Sequence, residues 1–196
     1  MTFGASLLFA LRVVCRLKSF HKFTYPRTNS LKDTMTLNRV NKRVEQQSGE
    51  CMLHEKSCGA VIFHKKDDSI KYLMLNYAAG HWDFVKGNVE VDESEKETVL
   101  RELKEETGIT EAQFIDGFRE AIAYFYRRQG LTVNKEVVFF LMESYTDKVQ
   151  LSFEHVGYIW LEYRHAMEKL TFKNAKDTLQ KAHEFLKKNG IIKPTE

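Results

Sequence analysis

The sequence predicts an α+β fold in three layers, a mixed β-sheet sandwiched between α-helices (α/β/α). Three observations predict it. Apolar, β-branched runs recur between residues 57 and 160 and read as strands. A stretch among them, residues 94–108, carries the start and stop signals of a helix. Beyond the last run, Ala175, Leu179, Ala182 and Leu186 recur at helical spacing. The chain has 196 residues, which fits one domain plus an extension, and 43% apolar content with fourteen phenylalanines suffices for a packed core.

Taken in order, residues 57–63 (SCGAVIF) form the first strand, Asp67-Asp68-Ser69 turns the chain, and residues 70–75 (IKYLML) return as its hairpin partner. Ala78-Ala79-Gly80 is a loop, and residues 81–86 lead toward the helix. Ser94 with Glu97 three residues later is a capping box, so the helix starts near Ser94, and Gly108 sits where a left-handed C-cap is expected. The run between them lacks proline and glycine. Val99, Leu100 and Leu103 should face a core, and Arg101 should pair with both Glu97 and Glu105 at i,i+4 spacing. Residues 114–126 contain strand patterns, Gln129-Gly130 turns a hairpin, and residues 133–142 form a buried strand around VVFFLM. Residues 157–160 (GYIW) are the last strand. A short helix over 163–170 follows, then a longer one whose stripe Phe185 widens and which Gly190 and Pro194 terminate.

Charge is unevenly spread. Residues 1–50 hold nine Lys and Arg against three Asp and Glu, whereas the remainder holds twenty-one against twenty-four. A mildly acidic body argues against a general nucleic-acid binder. The apolar stretch over residues 3–14 is far short of a spanning helix. Arg12 lies within it and Arg16, Lys18, Lys22 and Arg27 follow, in a pattern similar to a mitochondrial presequence. The alternative is translation starting at Met52. Residues 1–51 are therefore expected to be a dispensable extension, loose over 28–50, with the domain proper at 52–196. Cys15, Cys51 and Cys58 are odd in number and show no C-x-x-C spacing, which suits free thiols, and Cys58 in its strand should be buried.

The chemistry concentrates in residues 87–109, GNVEVDESEKETVLRELKEETGI. On a helix, Glu102, Glu105 and Glu106 fall within one arc of roughly 100°. Such a stripe repels itself and is ordinarily a solvated acidic face. It also offers several oxygen ligands at a pitch that suits a hard divalent cation.

This segment resembles the Nudix box, G-x5-E-x7-R-E-U-x-E-E-x-G-U with U apolar. Gly87, Glu93, Arg101, Glu102, Leu103, Glu105, Glu106, Gly108 and Ile109 satisfy all nine defined positions. The chain is thus similar to Nudix hydrolases, which cleave nucleoside diphosphates linked to another group. The resemblance implies the Nudix fold for residues 52–196. It implies that Glu102, Glu105 and Glu106, with the carbonyl of Lys86, bind Mg²⁺ or Mn²⁺. Glu93 and Arg101 would brace the loop and helix. Residues 82–90, WDFVKGNVE, look like the W-x-F-P-K-G-H-x-E run of asymmetrical diadenosine tetraphosphate hydrolases, with Val85 for proline and Asn88 for histidine. LSFEHVGYIWL and LTFKNAKDTLQKAHEFL resemble the C-terminal part of the same group.

The expected reaction is metal-assisted attack of water on a phosphorus of diadenosine tetraphosphate, giving ATP and AMP. Glu102 is the expected base with Glu154 as an extra ligand, and the reverse assignment stays open. Lys86 and Lys135 are candidates for phosphate oxygens, with Lys135 projecting from the start of its strand. Tyr124 and Tyr126, on one side of a strand at period 2, and Phe172 are candidates for stacking on purines. His81 and His155 would touch phosphate, bracket the metal or order a loop. Other nucleotides remain as rival substrates (ADP-ribose, a nucleoside triphosphate, a 5′-triphosphate RNA end), as does a non-catalytic nucleotide-binding module. The partner is expected to be a small nucleotide, with no stable nucleic acid or membrane, and the chain a cytoplasmic monomer.

Overall fold

The computed structural model describes residues 44–47, 50–66 and 69–192. The turn at Asp67-Asp68 and the basic stretch before residue 44 lie outside them. Among the described residues, eight strands form one mixed sheet: β1 (Val44–Gln47), β2 (Glu50–Lys66), β3 (Ser69–Tyr77), β4 (Trp82–Asp83), β5 (Val85–Asn88), β6 (Ala112–Arg128), β7 (Leu131–Ser144) and β8 (His155–Leu161). The helices are α1 (Glu95–Thr107), α2 (Tyr163–Lys169) and α3 (Lys173–Lys188).

The long β2 organises the sheet. Along one edge it pairs in parallel with β7, from Met52 opposite Thr132 to Phe63 opposite Glu143. Its other edge is shared in turn by β1, β5 and β3, all antiparallel. β6 closes the β7 side, and β8 and β4 pair with β3. Alternation along the strands sorts the core onto two faces. Val61, Phe63, Val137, Phe139 and Leu141 point to α2 and α3, where they meet Ala166, Leu170, Leu179 and Leu186. Ala60, Ile62, Val138, Phe140 and Met142 point the other way, to Val99 and Leu103 of α1. The sheet is therefore covered by helices on both faces, as the sequence predicts.

Local signals place α1 accurately. Ser94 accepts from the Glu97 amide, the Glu97 carboxylate accepts from Ser94 N at 2.8 Å, and Gly108 ends the helix at φ 68°. The Gln129-Gly130 turn also forms, with φ 51° and 79°, as a two-residue hairpin requires.

Four expectations need correction. Leu100 is 47% exposed, whereas Val99 and Leu103 are buried. The buried face of α1 runs through Glu106, only about 20° from Val99 around the helix, and so turns Leu100 to solvent. Glu97 does not pair with Arg101, because its carboxylate is committed to the cap. The stretch expected to be loose up to residue 50 includes β1, and β2 starts at Glu50. Lys135 lies well inside β7, opposite Glu55 and Tyr124, not at its start.

Candidate active site

The loop before α1 is tied down by one guanidinium. Arg101 donates from Nε and Nη2 to the two carboxylate oxygens of Glu93 at 2.8 and 2.9 Å, and from Nη2 to the Asn88 carbonyl at 3.0 Å. Glu93 also accepts from the Thr98 hydroxyl and the Glu90 amide. The Arg101 hydrogen bonds pull the Glu93 pKa down to about 2. Arg101 Nη1 reaches Glu102 at 2.7 Å and Glu105 at 3.1 Å. Neither Glu93 nor Arg101 lines the cavity described below.

Glu106 is 5% exposed. Its Oε2 accepts from the Lys86 amide at 3.3 Å, and its Oε1 lies 3.5 Å from His155 Nε2. Burial lowers the His155 pKa, so this contact is not an ion pair at neutral pH. Burial, then the Glu102 charge, pushes the Glu106 pKa up to about 8. Glu102 is shifted upward as well, chiefly by burial, with Glu105 and Glu154 adding to it. Glu154 is exposed just before β8 and makes no ion pair among the described residues. Its charge nonetheless registers at Glu102, at Glu106 and at the Tyr77 phenol.

The resemblance of residues 87–109 to the Nudix box implies a divalent metal ion here. Among the described residues no three His, Cys, Asp or Glu side chains converge as a ready metal cluster. Part of the physical reason is that Arg101 Nη1 occupies both Glu102 and Glu105, the latter 60% exposed. The remaining donors suit a cation: the Glu102 charge adds to burial in raising the Glu106 pKa, and the buried His155 Nε2 has no hydrogen-bond partner.

On the α3 face of the sheet lies a cavity of about 790 Å³, within the range of small-molecule sites. Val137, Phe139 and Ile122 form its floor, and His81, Tyr124, Tyr126, Phe172, Asp83, Lys86 and Lys135 stand around it. The structure thus gathers all six residues singled out for substrate. The rings of Tyr124 and Tyr126 are 6.4 Å apart, and Phe172 is 45% exposed at the start of α3. His81 stacks on Tyr77 with centroids 4.7 Å apart and meets Phe172 at 5.2 Å. Lys86 Nζ sits 2.9 Å from Asp83 Oδ2 and 4.1 Å above the Tyr77 ring, out of line for a hydrogen bond. Lys135 Nζ donates to Asn88 Oδ1 at 2.7 Å, and Asn88 also accepts from Ser57. A second depression, about 430 Å³, lies at the other end of α1 against Gly108 and Gln150, away from the aromatic side chains.

Sequence reasoning missed Tyr77, Asp83 and Glu55. Tyr77 is the partly buried hub between His81, His155 and Lys86, but in IKYLMLNY it reads as one more strand aromatic. Asp83 stood in the resembling segment and drew no role. Glu55 lay outside the strand expected to begin at Ser57.

The NUDIX domain family model matches residues 53–182, and the chain belongs to this family of hydrolases. A Mus musculus protein named bis(5'-nucleosyl)-tetraphosphatase [asymmetrical] is 39% identical over 143 residues, spanning 67% of this chain and 95% of that one. The Rattus norvegicus protein of the same name is 36% identical with the same coverage. Among solved structures, a C. elegans Ap4A hydrolase binary complex superposes with a TM-score of 0.61 at 31% identity, covering 67% of this chain and 97% of that one. Among the described residues no helix is long and apolar enough to cross a membrane.

Proposed function

We propose that the chain hydrolyses dinucleoside polyphosphates, with diadenosine tetraphosphate cut asymmetrically to ATP and AMP. One observation carries this reading: Lys86 belongs to both halves of the site. Its amide holds Glu106 among the acids of α1, while its ammonium group lies in the aromatic cavity. A phosphate chain leaving a base in that cavity would pass Lys86 and Lys135 on its way to the carboxylates.

Glu102, Glu105, Glu106, Glu154 and the Lys86 carbonyl would hold Mg²⁺ or Mn²⁺. When bound, the ion supplies charge neutralisation at the phosphate oxygens and acidifies water. Glu105 must first swing off Arg101. Glu102 takes the proton of the attacking water at a carboxylate oxygen, and burial raises its pKa toward the range a base needs. Glu93 and Arg101 brace the loop that presents Lys86. Lys86 and Lys135 bind phosphate, and His81 with Phe172 and the two tyrosines borders the base. All of these residues lie within 52–196, so hydrolysis is expected to be unchanged when residues 1–51 are deleted. In this reading the chain is a cytoplasmic monomer acting on a small nucleotide, with no stable nucleic-acid or membrane partner.

Phe172→Ala should raise KM several-fold with kcat little changed, because base stacking worth about 1–3 kcal/mol is felt equally in ground and transition states. Steady-state kinetics with an unchanged KM would return Phe172 to a packing role. The reading as a whole is tested with diadenosine tetraphosphate and Mg²⁺ in heavy-oxygen water. Label in one of the two products identifies the attacked phosphorus. Turnover of ADP-ribose alone, in a panel with nucleoside triphosphates and 5′-triphosphate RNA, would overturn the assignment.

A further inference from the structure

One wall of the cavity is organised by a carboxylate that has no part in the chemistry above. Glu55, Lys135 and Tyr124 are register partners across β2, β7 and β6, so they share one row on one face of the sheet. Leu53, Val133 and Tyr126 form the next row on that face. From its row Glu55 reaches diagonally. Its Oε2 accepts from the Tyr126 hydroxyl at 2.8 Å and stands 3.7 Å from Lys135 Nζ, and its Oε1 accepts from Arg128. Glu55 is 8% exposed, and the Lys135 side chain is 12% exposed. Burial alone would raise the Glu55 pKa, but the bonds from Tyr126 and Arg128, with the Lys135 charge, hold it below the usual carboxylate range.

A buried carboxylate inside a strand is costly unless paired. Here all its partners come from the β6–β7 hairpin, and two of them line the cavity. Without Glu55, two cations would face each other next to a phenol with nothing to fix its orientation. Asn88 holds the same Lys135 from the other side. The lysine is thus aimed by two acceptors on separate strands.

We infer that Glu55 is a positioning residue for nucleotide binding: one carboxylate fixes Tyr126 and Lys135 on the cavity wall and so sets how tightly base and phosphate are held. This rests on the proposed reading that the cavity takes a nucleotide. It does not touch the reacting atoms, so its loss should act on binding and not on the chemical step.

The test is Glu55→Gln, which keeps the shape and removes the charge, alongside Tyr126→Phe, which keeps the ring and removes the hydroxyl. KM and kcat for diadenosine tetraphosphate are measured for wild type, both single variants and the double variant. AMP titrations followed by tyrosine fluorescence give a readout independent of turnover. Glu55→Gln should raise KM and weaken AMP binding about tenfold, the scale of a lost charge-assisted hydrogen bond, with kcat within about twofold of wild type. The double variant should lose less than the product of the two single effects, because the two residues share one bond. Should Glu55→Gln fail to fold, Tyr126→Phe still must raise KM, and a normal KM for it overturns the inference. Unchanged KM in Glu55→Gln, or a fall in kcat at constant KM, also overturns it while leaving the hydrolase reading intact. If wild type turns over no diadenosine tetraphosphate but binds AMP, the hydrolase reading fails and the Glu55 role is decided by the AMP titrations. If wild type binds no AMP either, both fall.

Discussion

Glu106→Gln is expected to lower kcat by about two orders of magnitude while leaving the fold intact, the scale on which charge aimed at a developing transition state is worth rate. Glu106 is the most deeply buried of the three helical acids, held by the Lys86 amide and beside an unpartnered His155 nitrogen. Glu105→Gln is expected to act similarly, although Glu105 starts from a more exposed position against Arg101. Near-normal turnover of both purified variants would refute the assignment. Stability gives a second readout. The Glu106 pKa is raised from an ordinary 4.5 to about 8, so in the metal-free protein the neutral form is the one that suits the fold. Its contribution is full below about pH 4.5 and is lost as pH rises through about 8. With a chelator present, wild type should therefore melt at a lower temperature at pH 9 than at pH 6, and Glu106→Gln should flatten that difference. Mg²⁺ should restore wild type more at pH 9 than at pH 6. Equal melting temperatures at both pH values without metal would show that no buried acid is waiting for a cation.

What the sequence revealed was whatever is decided within a few residues. The α1 caps are legible because Ser94, Glu97 and Gly108 act on their own helix turn. The hairpin at Gln129-Gly130 is legible because only a positive φ closes a two-residue turn. Strand ends were less visible. His54, Glu55 and Lys56 look like a polar lead-in, yet all three belong to β2, where the parallel β7 pairs with them at Asn134, Lys135 and Glu136. The acid stripe was visible from helical spacing, but its internal division was not. Helix spacing predicts the Arg101–Glu105 pair, which forms, but it cannot tell that Glu106 faces the core, because that depends on β5, whose Lys86 amide holds the carboxylate. Glu55 was illegible for the same reason at longer range: its counter-charge, Arg128, is 73 residues away.

Gly87→Ala should abolish most activity and spare the fold, whereas Gly59→Ala should destabilise the fold itself. Both glycines lie in paired strands without a positive φ, so conformational freedom explains neither. Space does. A Cβ on Gly87 would lie 1.7 Å from Glu102 Oε1 and 1.9 Å from its Cδ. The obstructed atoms are the free end of a flexible side chain, which can rotate away at little cost to packing. It would then lose its place beside Arg101 and Glu106, and a misplacement of about 1 Å at a reacting group can cost about 100-fold in rate. A Cβ on Gly59 would instead meet the Val85 carbonyl oxygen at 2.3 Å and Lys86 Cβ at 2.6 Å. Backbone cannot rotate away, so β5 must part from β2, and overpacking of this kind costs about 1–3 kcal/mol. At roughly 2–4 °C per kcal/mol for a chain of this size, Gly59→Ala should melt several degrees below wild type. Gly87→Ala should melt within a degree or two of it, yet lose about 100-fold in kcat. A Gly87→Ala protein that keeps wild-type turnover would mean that the position of the Glu102 carboxylate does not matter. The base assignment would then pass to Glu154, which stands clear of both glycines.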